Sequence, residues 1–333
     1  MNTQINNEKK VLFINNISSV AFLLGEEIKR SGWDYDIYSP YREYMFWTDK
    51  SSIKPASRFS NYFLTNVDFK KYDIIHYSYP ALINSVTARL KSWLHNKIFV
   101  LHYHGSDLRW KGLTAILRNL TAIKATCIFY ATPDLEKYIK SSKTKKIFLP
   151  NPINPLKKIH CKEYENKILV FSRLEKEKGL HNLIPIIKKL KDYEFHFIDW
   201  VFDDYKIKQM LPENTRIIPK VPHKEINKLL SKYKVVLGQF SPYGVFGVSE
   251  LESMSLGRPT FFNWNKEFND FYSEPLPILD YNSENIKNLM ENKKERKKLG
   301  NKQKRWVFKE HNVKKSATIL LNEYENLLSN VKK

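Results

Sequence analysis

Acidic residues are scarce in this chain. Thirty-five Asp and Glu stand against 56 Lys and Arg, a net charge of +21 over 333 residues. An imbalance of that size points to an anionic partner: nucleic acid, an anionic lipid surface, or phosphorylated small molecules. Cysteine is almost absent. Cys127 and Cys161 are the two present, too few for a disulfide framework or a cysteine-built metal site, and they suit a reducing compartment. Ten Gly and 15 Pro exclude collagen-like and low-complexity chains. No run of 18 apolar residues occurs, which excludes a membrane-spanning helix. Met1–Lys10 is polar and lacks an apolar signal core, so the protein is expected to stay in the cytoplasm, with room to lie on the membrane face there.

What is present suits a folded enzyme-sized protein. Apolar residues make up 42% and aromatics 14%, which excludes disorder throughout. At roughly 150 residues per domain the length predicts two domains. Short apolar runs alternate with helical periods. Strands are predicted at Lys10–Asn15, Asp36–Tyr38, Asp73–Tyr77, Lys97–His102, Thr126–Ala131 and Lys145–Leu149. Pro150-Asn151-Pro152 then breaks the chain. The alternation restarts with strands at Lys167–Phe171, Glu194–Asp199, Arg216–Ile218, Val235–Gly238 and Pro259–Phe262, and from Glu284 onward the pattern is helical. Such alternation implies parallel βαβ units with right-handed crossovers. The fold class predicted is α/β: two doubly wound Rossmann-like domains, 1–150 and 151–333, facing a cleft. The C-terminal end is helical and its last helix is free to pack back on the first domain. The aromatic stretch 55–72 carries no clear pattern.

In open α/β sheets ligands bind beyond the carboxyl ends of the strands, and three such places carry chemistry. After strand 97–102 comes His102-Tyr103-His104-Gly105-Ser106-Asp107. Its imidazoles and carboxylate can orient and deprotonate a hydroxyl; the same residues also suit a polar loop with His102 buried in its strand. After strand 167–171 comes Ser172-Arg173-Leu174-Glu175-Lys176-Glu177-Lys178-Gly179. Arg173 as a fork, Lys178 as a point charge and the amides of a helix start suit a diphosphate; Lys178 beside two Glu also reads as a surface residue. After strand 235–238 comes Ser241 to Glu252, where Gly244 and Gly247 let backbone approach a ligand and a helix begins near Val248. Glu250 and Glu252 point about 200° apart on that helix, so one faces the ligand. A carboxylate on such a helix can accept both hydroxyls of a ribose; a capping Glu250 and a solvent-facing Glu252 are the plain structural alternative.

In this order and spacing the segments resemble the two-domain glycosyltransferases of family 4, whose fold is called GT-B. The resemblance covers nearly the whole chain. His104-Gly105-Ser106-Asp107 looks like the family's first-domain His loop, and Leu149-Pro150-Asn151-Pro152 like its interdomain IPNP segment. Ser172-Arg173-Leu174…Glu177-Lys178-Gly179 is similar to GRLxxEKG. Phe246-Gly247…Glu252-Ser253-Met254-Ser255-Leu256-Gly257-Arg258-Pro259 is similar to FGxxxxEAMAxGxP.

The resemblance implies a retaining transferase. It would move a sugar from a nucleotide-sugar donor to a hydroxyl of a glycan or lipid-linked acceptor, with no metal or other cofactor expected. Arg173 and Lys178 would hold the diphosphate, Glu252 the ribose, and the backbone of Phe246, Gly247 and Val248 the phosphate and sugar. His104 would lie near the reacting sugar. The acceptor side would draw on Ser18, Ser19, His102 and Asp107. Two departures stand out. Gly244 occupies the place of the family's Glu that contacts the donor sugar, with Gln239 or Ser241 nearby as substitutes. Asn15-Asn16-Ile17-Ser18-Ser19 replaces its Gly-Gly loop. A degenerate GT-B protein without transferase activity is one alternative reading.

Basic residues also cluster. Residues 51–124 hold eleven Lys and Arg against three Asp and no Glu, a net of +8. Within Leu108–Thr126, Trp110, Leu113, Ile116, Leu117, Leu120 and Ile123 recur at near-helical spacing, punctuated by Arg109, Lys111, Arg118 and Lys124. A basic helix with an apolar face is expected to rest on an anionic membrane surface, with Lys91, Trp93, Lys97, Tyr44, Phe46 and Trp47 on the same side; packing on the sheet is the ordinary fate of such a stripe. The second alternative, a basic nucleic-acid-binding protein, lacks any zinc, helix-turn-helix or RNP-type signature, and no specific nucleic acid is expected as a partner.

Overall fold

The structure is a computed structural model describing residues 9–39, 52–53, 57–80, 83–109, 112–123, 125–140, 144–154, 156–157, 159–200 and 208–331. The chain divides into two compact units: Met1–Pro152 with Val313–Lys333, and Ile153–Asn312.

The first unit is built on a six-stranded parallel sheet. Its strands are β1 (Lys10–Ile14), β2 (Asp34–Tyr38), β3 (Ile74–Ser78), β4 (Ile98–Tyr103), β5 (Cys127–Tyr130) and β6 (Lys145–Phe148), in the order β2-β1-β3-β4-β5-β6. Every residue of β3 (IIHYS) and β4 (IFVLHY) is buried, as a parallel sheet covered on both faces requires. Register is set by pairs such as Ile74 with Ile98 and Leu12 with Ile75. The helices are α1 (Val20–Lys29), α2 (Arg58–Phe63), α3 (Ile83–Leu94), α4 (Ser106–Arg109) and α5 (Leu113–Ala122). The Ser57 hydroxyl starts α2 by accepting from Ser60 N at 3.0 Å, giving part of the unpatterned stretch a defined helix. The apolar period over 108–126 is two helices, not one; Gly112, at φ +72°, separates α4 from α5.

The second unit carries β7 (Lys167–Val170), β8 (Glu194–Ile198), β9 (Thr215–Ile218), β10 (Val236–Leu237) and β11 (Thr260–Phe261), all parallel, in the order β11-β10-β7-β8-β9. Its helices are α6 (Leu180–Lys189), α7 (Ile226–Ser231), α8 (Val248–Ser255), α9 (Ser283–Glu291) and α10 (Lys293–Glu310). Phe195, Phe197, Leu183, Ile187, Val235 and Leu237 form one side of its core.

The last helix, α11 (Val313–Val331), belongs to the first unit. Ala317, Leu320, Tyr324 and Leu327 join Val11, Phe13, Leu24, Val100 and Phe129 in one buried cluster. Polar ties fix its pose. Tyr324 Oη and His76 Nδ1 lie 2.7 Å apart, Lys145 Nζ meets Glu323 Oε2 at 2.5 Å, and the Ser316 hydroxyl donates to Pro150 O at 2.9 Å. The two chain crossings meet as a parallel bridge between Ile153 and Asn312, with Ile153 N donating to His311 O at 3.2 Å.

Leu320 is 0% exposed, so Leu320→Ala is expected to destabilise the first unit by about 2–5 kcal/mol. Val331→Ala, at an exposed position of the same helix, should change stability by less than about 0.5 kcal/mol. Urea unfolding of both variants checks this; equal midpoints would show that α11 is not part of the core.

Candidate functional site

Strand order reverses between β7 and β10 in the second unit and between β1 and β3 in the first. Connections leave such a switch point in opposite directions and open a crevice at the strand ends. In the second unit the two loops at that point are 171–179, after β7, and 238–247, after β10. These are the segments that hold Arg173, Lys178 and Gly247.

The two loops are stitched together. Phe240 N donates to Lys178 O at 2.8 Å, and the Asn182 amide donates to Phe240 O at 3.1 Å. Gly179, at φ +74°, sits under this contact, and a Cβ there would lie 1.9 Å from Phe240 O. Lys178 Nζ reaches Gln239 Oε1 at 2.8 Å, and Gln239 Nε2 donates to Val245 O at 2.7 Å. Arg173 lies 3.1 Å from Glu175 Oε1 and keeps 31% of its side chain exposed. Both cations that the sequence singled out therefore belong to one layer of loop.

Glu250, 2% exposed, anchors the second loop at both ends. Its Oε1 accepts from Gln239 N at 2.7 Å and its Oε2 from Gly247 N at 2.8 Å. The acid three residues past the helix-starting Gly247 thus does the capping expected of that place. Gly244 has φ +64°, and a Cβ there would meet Asn265 at 2.9 Å. The turn itself excludes a side chain at the position where the family carries Glu. Gly247 is different: its φ is −114° and a Cβ would meet nothing closer than Glu250 Oε2 at 3.4 Å. No crowding within the protein requires glycine there, so the open space at the start of α8 is available to a ligand. The Ser241 hydroxyl in the same loop is buried with no hydrogen-bond partner among the described residues.

Phe246 turns its ring into the core, stacked on Trp264 at 5.2 Å and edge-on to Trp306 at 5.8 Å, so its backbone alone is left for a ligand. Val248 is the first residue of α8. Glu252, 6% exposed, is held by His223, with Nε2 to Oε1 at 2.5 Å. His223 was not legible as a site residue: it lies 29 positions from Glu252 with no motif around it.

In the first unit, the loop after β1 runs through three left-handed residues, Asn15 (φ 70°), Ser18 (φ 49°) and Ser19 (φ 61°). Such a conformation costs non-glycine residues roughly 1–2 kcal/mol each. Asn15 and Asn16 offset it: the Asn15 amide donates to Ser78 O at 2.6 Å, and Asn16 Oδ1 accepts from Phe22 N at 3.1 Å. The β4 end is mostly interior. His102 is fully buried inside the strand, with neither ring nitrogen partnered among the described residues. Its ring lies tilted against His104 at 4.1 Å and edge-on to His76 at 5.3 Å. Asp107 serves its own turn, accepting from Gly105 N at 2.7 Å and His104 N at 3.1 Å. His104 engages the Asn151 side chain, while its buried Nε2 has no partner among the described residues. Among the described residues, no group of three or more His, Cys, Asp or Glu is placed to hold a metal ion.

The apolar stripe of α5 faces outward: Leu113, Ile116, Leu120 and Ile123 are 47–65% exposed. α3 lies against both α2 and α5, and adds Leu90, Trp93 and Leu94, with Phe59, Tyr62 and Phe63 on α2. Four of the predicted surface cations bond within the protein, Lys91 to Leu64 O at 2.9 Å and Lys97 to Lys70 O at 3.1 Å among them. Arg109 forks onto buried Asp134 at 2.7 and 2.8 Å, and Arg118 donates to Leu108 O at 2.5 Å. Trp110, Lys111, Lys124, Tyr44, Phe46 and Trp47 lie outside the described residues. No described helix is long and apolar enough to cross a membrane.

A family model described as "Glycosyl transferases group 1" matches residues 154–263, the part of the second unit that holds both switch-point loops. No curated protein matches the sequence. The chain is similar in structure to HepE of Anabaena, solved with UDP-glucose, at a TM-score of 0.70 and 12% identity over 95% of this chain and 99% of that one. It is similar to a glycosyltransferase of Rickettsia africae at 0.67 and 14%, over 97% and 100%. A UDP-GlcNAc 2-epimerase of Neisseria meningitidis, solved with UDP-GlcNAc, matches at 0.57 and 14%, over 96% and 100%. The fold is thus the GT-B arrangement of two doubly wound α/β units with a helical C-terminal end.

Burial pushes His76 down to about 3 and His104 to about 4, and holds His102 well below the ordinary value, with neighbouring imidazoles adding to the effect on His76 and His102. Burial pushes Asp107 up to about 6 against its amide hydrogen bonds. Unfolded histidines titrate near 6.5, so below that pH the unfolded chain binds more protons. Stability then falls with pH by on the order of 1 kcal/mol per unit per histidine. Asp107 opposes this as a single group. The urea midpoint of the first unit is expected to drop between about pH 7 and pH 5, and less steeply in His102→Phe. A midpoint that ignores pH would contradict neutral burial of the three rings.

Proposed function

We propose that the chain is a glycosyltransferase that takes a nucleotide-sugar donor at the switch point of its second unit. The observation that carries this reading is the pair of stitched loops with two cations and, beside them, an open helix start at Gly247. An arriving diphosphate would meet Arg173, Lys178 and the amide end of α8, while Glu252 takes the ribose. As the sugar leaves, charge builds on the departing phosphate oxygens, and these fixed donors stabilise it without moving. Gln239 and Ser241 stand where the glycine turn leaves the donor sugar without a carboxylate. His104, neutral at physiological pH, is assigned by this reading to the neighbourhood of the reacting sugar, and the Ser18–Ser19 loop to the acceptor side. We further propose transfer with retention to a glycan or lipid-linked hydroxyl, in glycan or polysaccharide biosynthesis, with a nucleotide-sugar donor and no metal.

The partner of the outward face on α2, α3 and α5 is proposed to be an anionic bilayer at the cytoplasmic side. Nine large apolar side chains are exposed on these three helices, with Ile123 just past the end of α5, and the helix sequences contain Arg and Lys but neither Asp nor Glu. A second copy would meet like charge, whereas an anionic headgroup layer complements it.

Calorimetric titration with UDP, GDP and ADP is expected to find one nucleotide that saturates the site. Arg173→Ala or Lys178→Ala should weaken it at least about tenfold, in keeping with the loss of a charge-assisted hydrogen bond. Because an epimerase shares the fold, the activity assay reads nucleoside diphosphate release in the presence of acceptor. Turnover near wild type in both variants would overturn the donor site.

Vesicles containing phosphatidylglycerol should retain the protein and pure phosphatidylcholine should not. Trp93→Ser with Leu94→Ser should weaken retention about tenfold, given roughly 0.8 kcal/mol per buried CH₂. Equal retention on both vesicle types would reject the lipid surface.

A further inference from the structure

Glu252 is held by one oxygen. Its side chain is 9% exposed, Oε1 sits 2.5 Å from His223 Nε2, and Oε2 has no hydrogen-bond partner among the described residues. A carboxylate this enclosed needs compensation for lost hydration, and His223 supplies it at one oxygen. The other oxygen is left for a donor that the described residues do not provide. We propose that His223 is a positioning residue for the nucleotide sugar: as an imidazolium it orients Glu252 through Oε1, leaves Oε2 to the ribose, and cancels the carboxylate's charge when the diphosphate arrives. This rests on the donor-site reading above and adds to it a residue, a proton and a direction of pH dependence.

The charge argument sets the sign. A nucleotide sugar brings two negative charges to Arg173, Lys178 and the start of α8. A lone Glu252 carboxylate in the same site repels them; an imidazolium–carboxylate pair does not. Glu252 of α8 acts on the His223 ring, and its hydrogen bond raises the imidazole above its ordinary value against the effect of burial. The other acid of α8, Glu250, is consumed by the amides of Gln239 and Gly247. In its own segment Lys224 and Glu225 follow His223, and Lys220 lies over the Trp200 ring at 4.8 Å. Donor binding therefore favours the protonated ring. Affinity is highest below the pKa of His223, which lies above 6.5, and falls as pH rises through it.

The test is calorimetry with UDP-glucose, GDP-mannose and ADP-glucose from about pH 6 to pH 9, a range in which their diphosphate diesters stay fully ionised. For the sugar nucleotide that binds, Kd in the wild type is expected to rise about fivefold across the range, the size of a modest charge–charge coupling. Buffers of different ionisation enthalpy should show proton uptake on binding at the upper end. His223→Gln keeps an N–H for Oε1 but carries no charge. It should bind with a flat pH profile and no proton uptake, while His223→Ala binds more weakly throughout. A His223→Gln profile parallel to the wild type would overturn the proposal, as would a flat wild-type profile. NMR of the unliganded protein separates the levels: the His223 ring should titrate lower in Glu252→Gln. An unchanged titration refutes the pair while leaving the transferase reading intact. Failure of every nucleotide to bind overturns the donor site and this proposal with it, even if the pair is seen.

Discussion

The Glu250 carboxylate is the fixed point of the second unit. Two backbone amides eight residues apart, on Gln239 and Gly247, point at its two oxygens. Without an acceptor both would be buried donors left unmade, a cost of roughly 1–3 kcal/mol each. Satisfying them sets the span of the loop, and the rest follows. Gln239 is placed to take Lys178, Phe240 is placed to cover Gly179, and the start of α8 is left with room. A ligand site here is a by-product of solving a hydrogen-bond problem at the end of a two-residue strand. Strands that short hold little register by themselves, so the carboxylate does what longer pairing would do elsewhere.

Much of this was legible before any coordinates. Periodicity separated strands from helices, and the order of strands placed ligand chemistry at their carboxyl ends. The residues from Ser172 to Gly179 and from Gly238 to Glu252 do come together in space. What escaped depends on which faces meet. The stripe over 113–123 faces out as expected, with Leu113, Ile116 and Ile123 exposed, but spacing alone says that a face exists and not what covers it. Arg109 reads as a surface cation and forks onto buried Asp134, a partner 25 residues away. His223 meets Glu252 across 29 residues. The Gly244 turn is the reverse case: a departure from a motif that backbone geometry explains once Asn265 is seen beside it.

The two units treat histidine in opposite ways. Burial strips His76, His102 and His104 of their protons, so the rings in the first unit act as neutral hydrogen-bonding groups or as packing. A carboxylate keeps His223 in the second unit charged to higher pH. One residue type thus supplies uncharged polarity beside a proposed sugar hydroxyl and a compensating cation beside a proposed diphosphate. The difference comes from whether an acid stands within hydrogen-bond reach.

The return of α11 to the first unit bears on the order of events during synthesis. Domains made first on the ribosome generally fold first. Here the core around Val11 and Phe13 lacks Leu320, Tyr324 and Leu327 until those residues leave the exit tunnel, while the second unit spans a continuous stretch and is complete by Asn312. At about 5–20 residues per second, the interval between emergence of β6 and emergence of α11 lasts on the order of ten seconds or more. Throughout it, the groove meant for α11 is an open apolar surface on a tethered nascent chain. The unit translated first is the one finished last, and chaperones have their longest access to it.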